Sequence, residues 1–132
     1  MPLYICNCRK DVLDASSKRE IAERITDTHC AVTDAPAMFV HVAFFEEAAE
    51  FPLEDKALFV IGNIRKGRSG HQKHEIASTI RRSLSEVTGV DESMTEALIS
   101  ETPASWVLEG GEIMPEPGEE AAWLAAHQSK QH

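Results

Sequence analysis

The sequence predicts an α/β (α+β) chain built from two successive β-α-β units that share one mixed sheet. Three observations carry this. The octet Lys18-Arg-Glu-Ile-Ala-Glu-Arg-Ile25 returns as Lys73-His-Glu-Ile-Ala-Ser-Thr-Ile80, 55 residues later. Each copy belongs to a stretch whose inward stripe recurs at helical period: Ile21, Ile25, His29 and Val32 in the first, Ile76, Ile80, Leu84 and Val87 in the second. Each stretch follows a short apolar run and precedes another, so a strand enters and leaves each helix. Both helices are then expected on one sheet face, and a right-handed crossover in each unit makes its two strands parallel.

The elements follow in order. Leu3–Cys8 reads as a largely apolar strand. Asp14 is a candidate N-cap, and Ser17 with Glu20 has capping-box spacing. Thr33-Asp34-Ala35-Pro36 ends the first helix. Phe39–Phe45 reads as a strongly apolar strand, residues 46–55 as an acidic connection, and Ala57–Ile64 as a second apolar strand. Arg65-Lys66-Gly67-Arg68-Ser69-Gly70 is a basic turn; Ser69 with Gln72 opens the second helix and Gly89 stops it. Glu96–Ser100 is a shorter strand. Gly110-Gly111 between Trp106 and Met114 marks a hairpin. Pro115-Glu-Pro-Gly118 breaks the chain before a short helix over Glu119–His127, and the last few residues are expected to be loose. The whole is read as a single domain over 1–132, its halves meeting near residues 54 and 55 and the second running to 118.

Composition narrows the function. At 42% hydrophobic and 27% charged residues the chain is of ordinary globular type, and no apolar run reaches the ~18 residues that span a membrane. No basic stretch followed by an apolar segment opens the sequence, which argues against a secretory signal. The net charge of −9 repels phosphates and argues against nucleic acid as a partner. Three cysteines, Cys6, Cys8 and Cys30, cannot all pair within one chain. Cys6 and Cys8 face the same way on a strand, and a reduced, cytoplasmic protein is the expectation. Neither a metal site nor an organic cofactor is expected.

The candidate chemistry starts at Pro2. A small second residue favours removal of Met1, which would leave a free secondary amine on a rigid ring fused to a strand. Arg65 and Arg68 stand where a strand meets a capped helix, beside free helix N–H groups, and suit a carboxylate. His29 lies on the apolar stripe rather than the wet face. Glu109 sits beside the glycine turn. His71 and His74 read as surface residues rather than a metal pair. An amine near two arginines has its protonated form disfavoured, so it can move protons on an α-keto or α,β-unsaturated acid.

These residues resemble the tautomerase superfamily, and within it the cis-3-chloroacrylic acid dehalogenase group. The likeness is carried in order by Met1-Pro2-x-Tyr4, Ile25-Thr-Asp-x-His29, Val42-x-Phe44, Arg65 with Gly67-Arg68-Ser69, Glu101-x-Pro103, Glu109, Pro115-x-Pro117-Gly118 and Trp123. The resemblance implies Pro2 as the catalytic amine and Arg65 and Arg68 as the carboxylate clamp, with His29 assisting. It implies that Glu109 positions or deprotonates a water in hydrolytic members, and that the chain forms a homotrimer around a three-fold axis, with C-terminal segments reaching a neighbour. Leu98 stands where dehalogenases of this group carry a water-activating tyrosine, and the segment between Glu46 and Ala57 is shorter than theirs. The expectation is therefore a cofactor-independent tautomerase of small carboxylate-bearing enols or 2-keto acids. The alternative is a cis-3-haloacrylate dehalogenase or hydratase in which Pro2 is a general acid and Glu109 steers water. A non-catalytic trimeric binding protein is the third reading.

Overall fold

A computed structural model describes residues 1–128. The chain runs β1 (Leu3–Cys8), α1 (Ala15–Thr33), β2 (His41–Glu46), β3 (Leu58–Arg65), α2 (Gly70–Thr88), β4 (Thr95–Thr102), a hairpin β5 (Leu108–Glu109) and β6 (Glu112–Ile113), and α3 (Glu120–Gln128). The final residues, expected to be loose, lie outside the described range. The main sheet has the order β2-β1-β3-β4, with β1 parallel to β2, β3 parallel to β4, and β1 antiparallel to β3 at the centre. This is the duplicated β-α-β arrangement that the repeat predicts.

The duplication is most regular in the helices. Both are 19 residues long, their N-caps Asp14 and Ser69 and their left-handed C-caps Asp34 and Gly89 each standing 55 residues apart. Ser69 and Gln72 form the expected capping box, Ser69 Oγ accepting from the Gln72 N–H at 3.1 Å and Gln72 Oε1 from the Ser69 N–H at 2.8 Å. In α1 the box falls one turn earlier than expected. Asp14 has the extended backbone of a cap, which places Ser17 inside the first turn as the reciprocal partner, so Ser17–Glu20 is not the box.

Two boundaries also differ. Phe39–Phe45 is not strand throughout: Pro36, with its fixed φ, starts a tight turn in which the Phe39 and Val40 N–H groups bond the Pro36 and Ala37 carbonyls, and pairing begins only at His41. β4 is longer than expected, because its partner β3 offers ladder positions from Leu58 to Arg65.

Tyr4, Cys6 and Cys8 on β1 and Leu58, Val60 and Ile64 on β3 point toward the helices. There they join Ile21, Ile25, Ile76, Ile80 and Leu84 in one buried core. At roughly 25 cal/mol per Å² of apolar surface removed from water, this layer is the main stabilising term. The opposite sheet face leaves Leu3, Phe45 and Leu98 at 40%, 39% and 52% exposure. Among the described residues no helix is long and apolar enough to cross a membrane.

Candidate active site

Because β1 and β3 are antiparallel, the start of β1 lies beside the end of β3. The sheet thereby brings the first residues of the chain to the basic turn that opens α2. Pro2 is buried, and its carbonyl accepts the His41 N–H at 3.0 Å, which ties the terminus to β2. In the unprocessed chain Met1 is 9% exposed and its ammonium contacts a Glu109 carboxylate oxygen. Glu109 ends β5, just before Gly110 and Gly111, whose φ of +59° and +81° are what a tight hairpin requires. Burial, and then the nearby Arg65 charge, lower the pKa of the Met1 amine from 8.0 to about 6.

Arg65 ends β3 with 1% of its side chain exposed. Its Nη1 donates to the Pro115 carbonyl at 2.6 Å, its Nη2 lies 3.3 Å from Glu120 Oε1, and its guanidinium sits 5.6 Å from the Phe39 ring centre. Arg68 precedes the Ser69 cap. Its Nη2 donates to the same Glu120 Oε1 at 3.2 Å and its Nη1 to the Thr33 carbonyl at 3.2 Å, at the negative end of α1. Its Nε is buried and lacks a partner among the described residues. Burial disfavours the Arg65 charge most, Glu120 opposes that, and the neighbouring Arg68 adds to it. Glu120 is 4% exposed, and both its carboxylate oxygens lie 3.1 Å from the Gly118 nitrogen. Burial alone would push its carboxyl up. The Gly118 and Glu120 N–H groups and the two arginines outweigh burial and hold it below the usual carboxylate range.

His29 is 2% exposed, and its Nδ1 lies 2.7 Å from the Tyr4 hydroxyl. Burial, then Arg68 and Arg65, lower its pKa from 6.5 to about 4, so the imidazole is neutral near pH 7. Burial raises the Tyr4 phenol, which therefore keeps its proton. With that hydroxyl donating to Nδ1, the imidazole proton sits on Nε2, a buried atom without a partner among the described residues. Gly62, opposite Tyr4, makes this possible: a Cβ there would stand 2.4 Å from a Tyr4 ring carbon.

The structure thus gathers Pro2, Arg65, Arg68, His29 and Glu109 around one end of the sheet. Leu98 does not join them through its own chain; it pairs with Ile61 in mid-sheet and lies on the open face. His71 and His74 are exposed, as expected. Two concavities open near the terminus, of about 230 and about 550 Å³, and they share Glu109 and His41. Met1 lines the larger. A depression on the outer face of α1, lined by Arg19, Glu23 and Asp27 among others, shares no residue with them. Sequence reasoning missed the role of Glu120, which lies 52 residues beyond Arg68, and the Tyr4–His29 bond that Gly62 admits. Only Pro115-x-Pro117-Gly118, a rigid approach to α3, hinted that the C-terminal segment had a fixed place.

The sequence matches the family described as "Putative oxalocrotonate tautomerase enzyme" over residues 1–128. Among solved structures it is similar to N1, described as a member of the cis-3-chloroacrylic acid dehalogenase (cis-CaaD) family. That similarity has a TM-score of 0.86 and 27% identity, covering 98% of this chain and 96% of that one. It is similar also to native Ps01740, at a TM-score of 0.71 and 34% identity over 82% of this chain and 100% of that one. The fold recurs in a fused 4-OT described as a symmetric trimer, at a TM-score of 0.73 and 15% identity over 86% of this chain and 95% of that one. No curated protein sequence is a significant match. Fold, motif order and family match agree: the chain belongs to the tautomerase superfamily, in its cis-3-chloroacrylic acid dehalogenase-like group.

Proposed function

We propose that the chain acts after loss of Met1 as a cofactor-independent tautomerase of small carboxylate-bearing enols or 2-keto acids, with Pro2 as its base. One observation carries the reading: the antiparallel pairing of β1 with β3 buries the amino terminus at the end of the sheet where Arg65 lies, and burial with the Arg65 charge lowers the pKa of the Met1 amine there. Removal of Met1 would free the Pro2 nitrogen at that same end of the sheet. A neutral Pro2 takes the enol hydroxyl proton, the carbonyl forms, and the ammonium returns a proton to carbon. Arg65 and Arg68 hold the substrate carboxylate and stabilise charge developing on oxygen, and the Nε2 proton of neutral His29 adds a further donor. Water activation has no part in this reaction, so Leu98 does not obstruct it.

A second reading is favoured by one contact. Glu109 touches the amine of the unprocessed chain, and in a hydratase of cis-3-haloacrylates that carboxylate would steer water while Pro2, protonated, gave a proton to carbon. The two readings need opposite charge states of one amine.

The same reading includes a homotrimer in a reducing, cytoplasmic setting. Leu3, Phe45 and Leu98 on the open sheet face, and Trp106, Leu108 and Ile113 on or beside the hairpin at 55–76% exposure, supply apolar surface for neighbours. Sedimentation at a monomer mass would remove that part.

The deciding experiment is ketonisation of phenylenolpyruvate by the processed protein and by Pro2→Ala, with halide release from cis-3-chloroacrylate run beside it and the terminus checked by mass spectrometry. Ketonisation falling by about 10²-fold or more in the variant, with little halide release, is the expected result. Proline-dependent halide release of equal or greater rate would select the hydratase, and no proline dependence in either assay would overturn both.

A further inference from the structure

We propose that Glu120 is a positioning residue: its carboxylate, carried at the start of α3, holds Arg65 and Arg68 side by side so that the pair can grip a substrate carboxylate. The proposal rests on the reading above that such an acid is the substrate.

A single oxygen, Glu120 Oε1, lies 3.3 Å from Arg65 Nη2 and 3.2 Å from Arg68 Nη2. Two guanidinium groups are thus brought to one point despite their like charge, and at 1% and 6% exposure their side chains receive little help from water. Glu120 is itself fixed from behind by the Gly118 N–H. It therefore does not behave as a loose acid borrowing the arginines. Held this way, the pair keeps one donor without a partner, with the His29 ring beside it. Arg68 Nε and His29 Nε2 are both buried without partners among the described residues, while Arg65 is braced on its far side by the Pro115 carbonyl and the Phe39 ring. Without the carboxylate the guanidiniums repel and separate, and Arg68 Nε is no longer held beside Arg65 to meet a ligand.

The test uses the processed protein with Glu120→Gln, which keeps the shape and removes the charge, and Glu120→Asp, which keeps the charge on a shorter arm. KM for phenylenolpyruvate and the calorimetric Kd of phenylpyruvate are measured for each, with the neutral methyl ester of phenylpyruvate as control. Glu120→Gln is expected to raise both constants by about tenfold or more while kcat falls less than about threefold, the loss of a charge-assisted contact that acts in binding. Glu120→Asp recovers most of the loss, and the ester changes less than about twofold. Should Glu120→Gln fail to fold, Glu120→Asp alone decides, through the part of the loss that its shorter arm does not recover: a KM and a Kd about twofold to threefold above the parent's, with the ester unchanged. Unchanged or tighter binding in Glu120→Gln, or in Glu120→Asp where only that variant folds, overturns the proposal, the tighter result marking Glu120 as a competitor for the arginines. The Pro2→Ala control keeps the two questions apart. If it ketonises as fast as the parent while the calorimetric contrast persists, the proline reading fails and the role of Glu120 stands.

Discussion

The two β-α-β halves are near copies in their helices and unlike in the turns that precede them. In the first half β1 ends at Cys8 and the cap is Asp14; in the second β3 ends at Arg65 and the cap is Ser69. The longer turn faces water: Arg9, its side chain 43% exposed, bonds the Lys56 and Glu54 carbonyls. In the shorter turn Lys66, Gly67 and Ser69 face water, but the side chains of Arg65 and Arg68 are buried against Glu120. Helix length and caps do not explain the contrast, since they match. The C-terminal segment does, because α3 bonds the second turn through Glu120 and sets a carboxylate between the two buried cations. The C-terminal segment thus makes one turn of a duplicated scaffold differ from the other.

The contrast breaks first at the arginines. Arg65→Ala leaves Glu120 buried with one of its two cationic partners gone and is expected to cost about 3–5 kcal/mol in urea unfolding, whereas Arg9→Ala, on a solvated surface, costs about 1 kcal/mol or less. Equal costs would mean that burial at the second turn is not what separates the halves.

The helix stripes give the next test. His29 and Leu84 stand 55 residues apart on equivalent buried stripes, at 2% and 0% exposure. In the unfolded chain the imidazole takes a proton near 6.5, and in the folded chain only near 4. Between these values the unfolded state binds more protons, so stability falls as pH drops from about 6.5 to about 4, by up to about 3 kcal/mol from this group. His29→Leu, which copies the other half, is expected to remove that part of the slope, read as the difference between variant and parent in unfolding at pH 7 and pH 4.5. It loses the Tyr4 hydrogen bond at about 1 kcal/mol and weakens carboxylate binding. A slope identical to the parent's would show that the imidazole titrates normally.

Gly62 and Gly70 make a smaller pair. Gly62→Ala drives a Cβ into the Tyr4 ring and is expected to cost about 1–3 kcal/mol while shifting Tyr4 from His29; Gly70→Ala meets nothing within 4 Å and stays within about 0.5 kcal/mol. Smallest, and a check on what the halves share, Asp14→Ala and Ser69→Ala should each cost about 1 kcal/mol and agree with one another in thermal melts.

Most of the architecture was legible because it is written in local patterns. The 55-residue repeat, the caps at Asp14, Ser69 and Gly89, and the glycine pair at 110–111 each act within a turn of chain. Boundaries slipped where a neighbour decided them, as at β4, lengthened by pairing with β3, or where Pro36 turned an apolar run into a tight turn. Of the candidate site, the positions with unusual chemistry stood out: a Pro2 that loss of Met1 would turn into an amine, two arginines at a helix start, and a histidine on an apolar stripe. What could not be read was pairing across long separations. Glu120 looks like any acidic residue opening a short helix, and only the folded chain sets it against Arg65 and Arg68. The sealing of Met1 against Glu109 is of the same kind, since nothing near Gly110 marks Glu109 as a neighbour of the terminus.

The packing of α3 also has an optical consequence. The sequence has two tryptophans. Trp106 is 76% exposed. Trp123 meets the edge of Phe39 at 5.6 Å, stacks on His127 at 3.7 Å and donates its Nε1–H to the Ile113 carbonyl, and the same Phe39 lies under the Arg65 guanidinium. In a single copy of the chain one indole is thus open to water and the other half-buried in an aromatic contact that reaches Arg65 through Phe39. Lifting α3 from Arg65 would merge the two populations into a single quenchable one, so steady-state fluorescence reads the far side of the clamp with no substrate present.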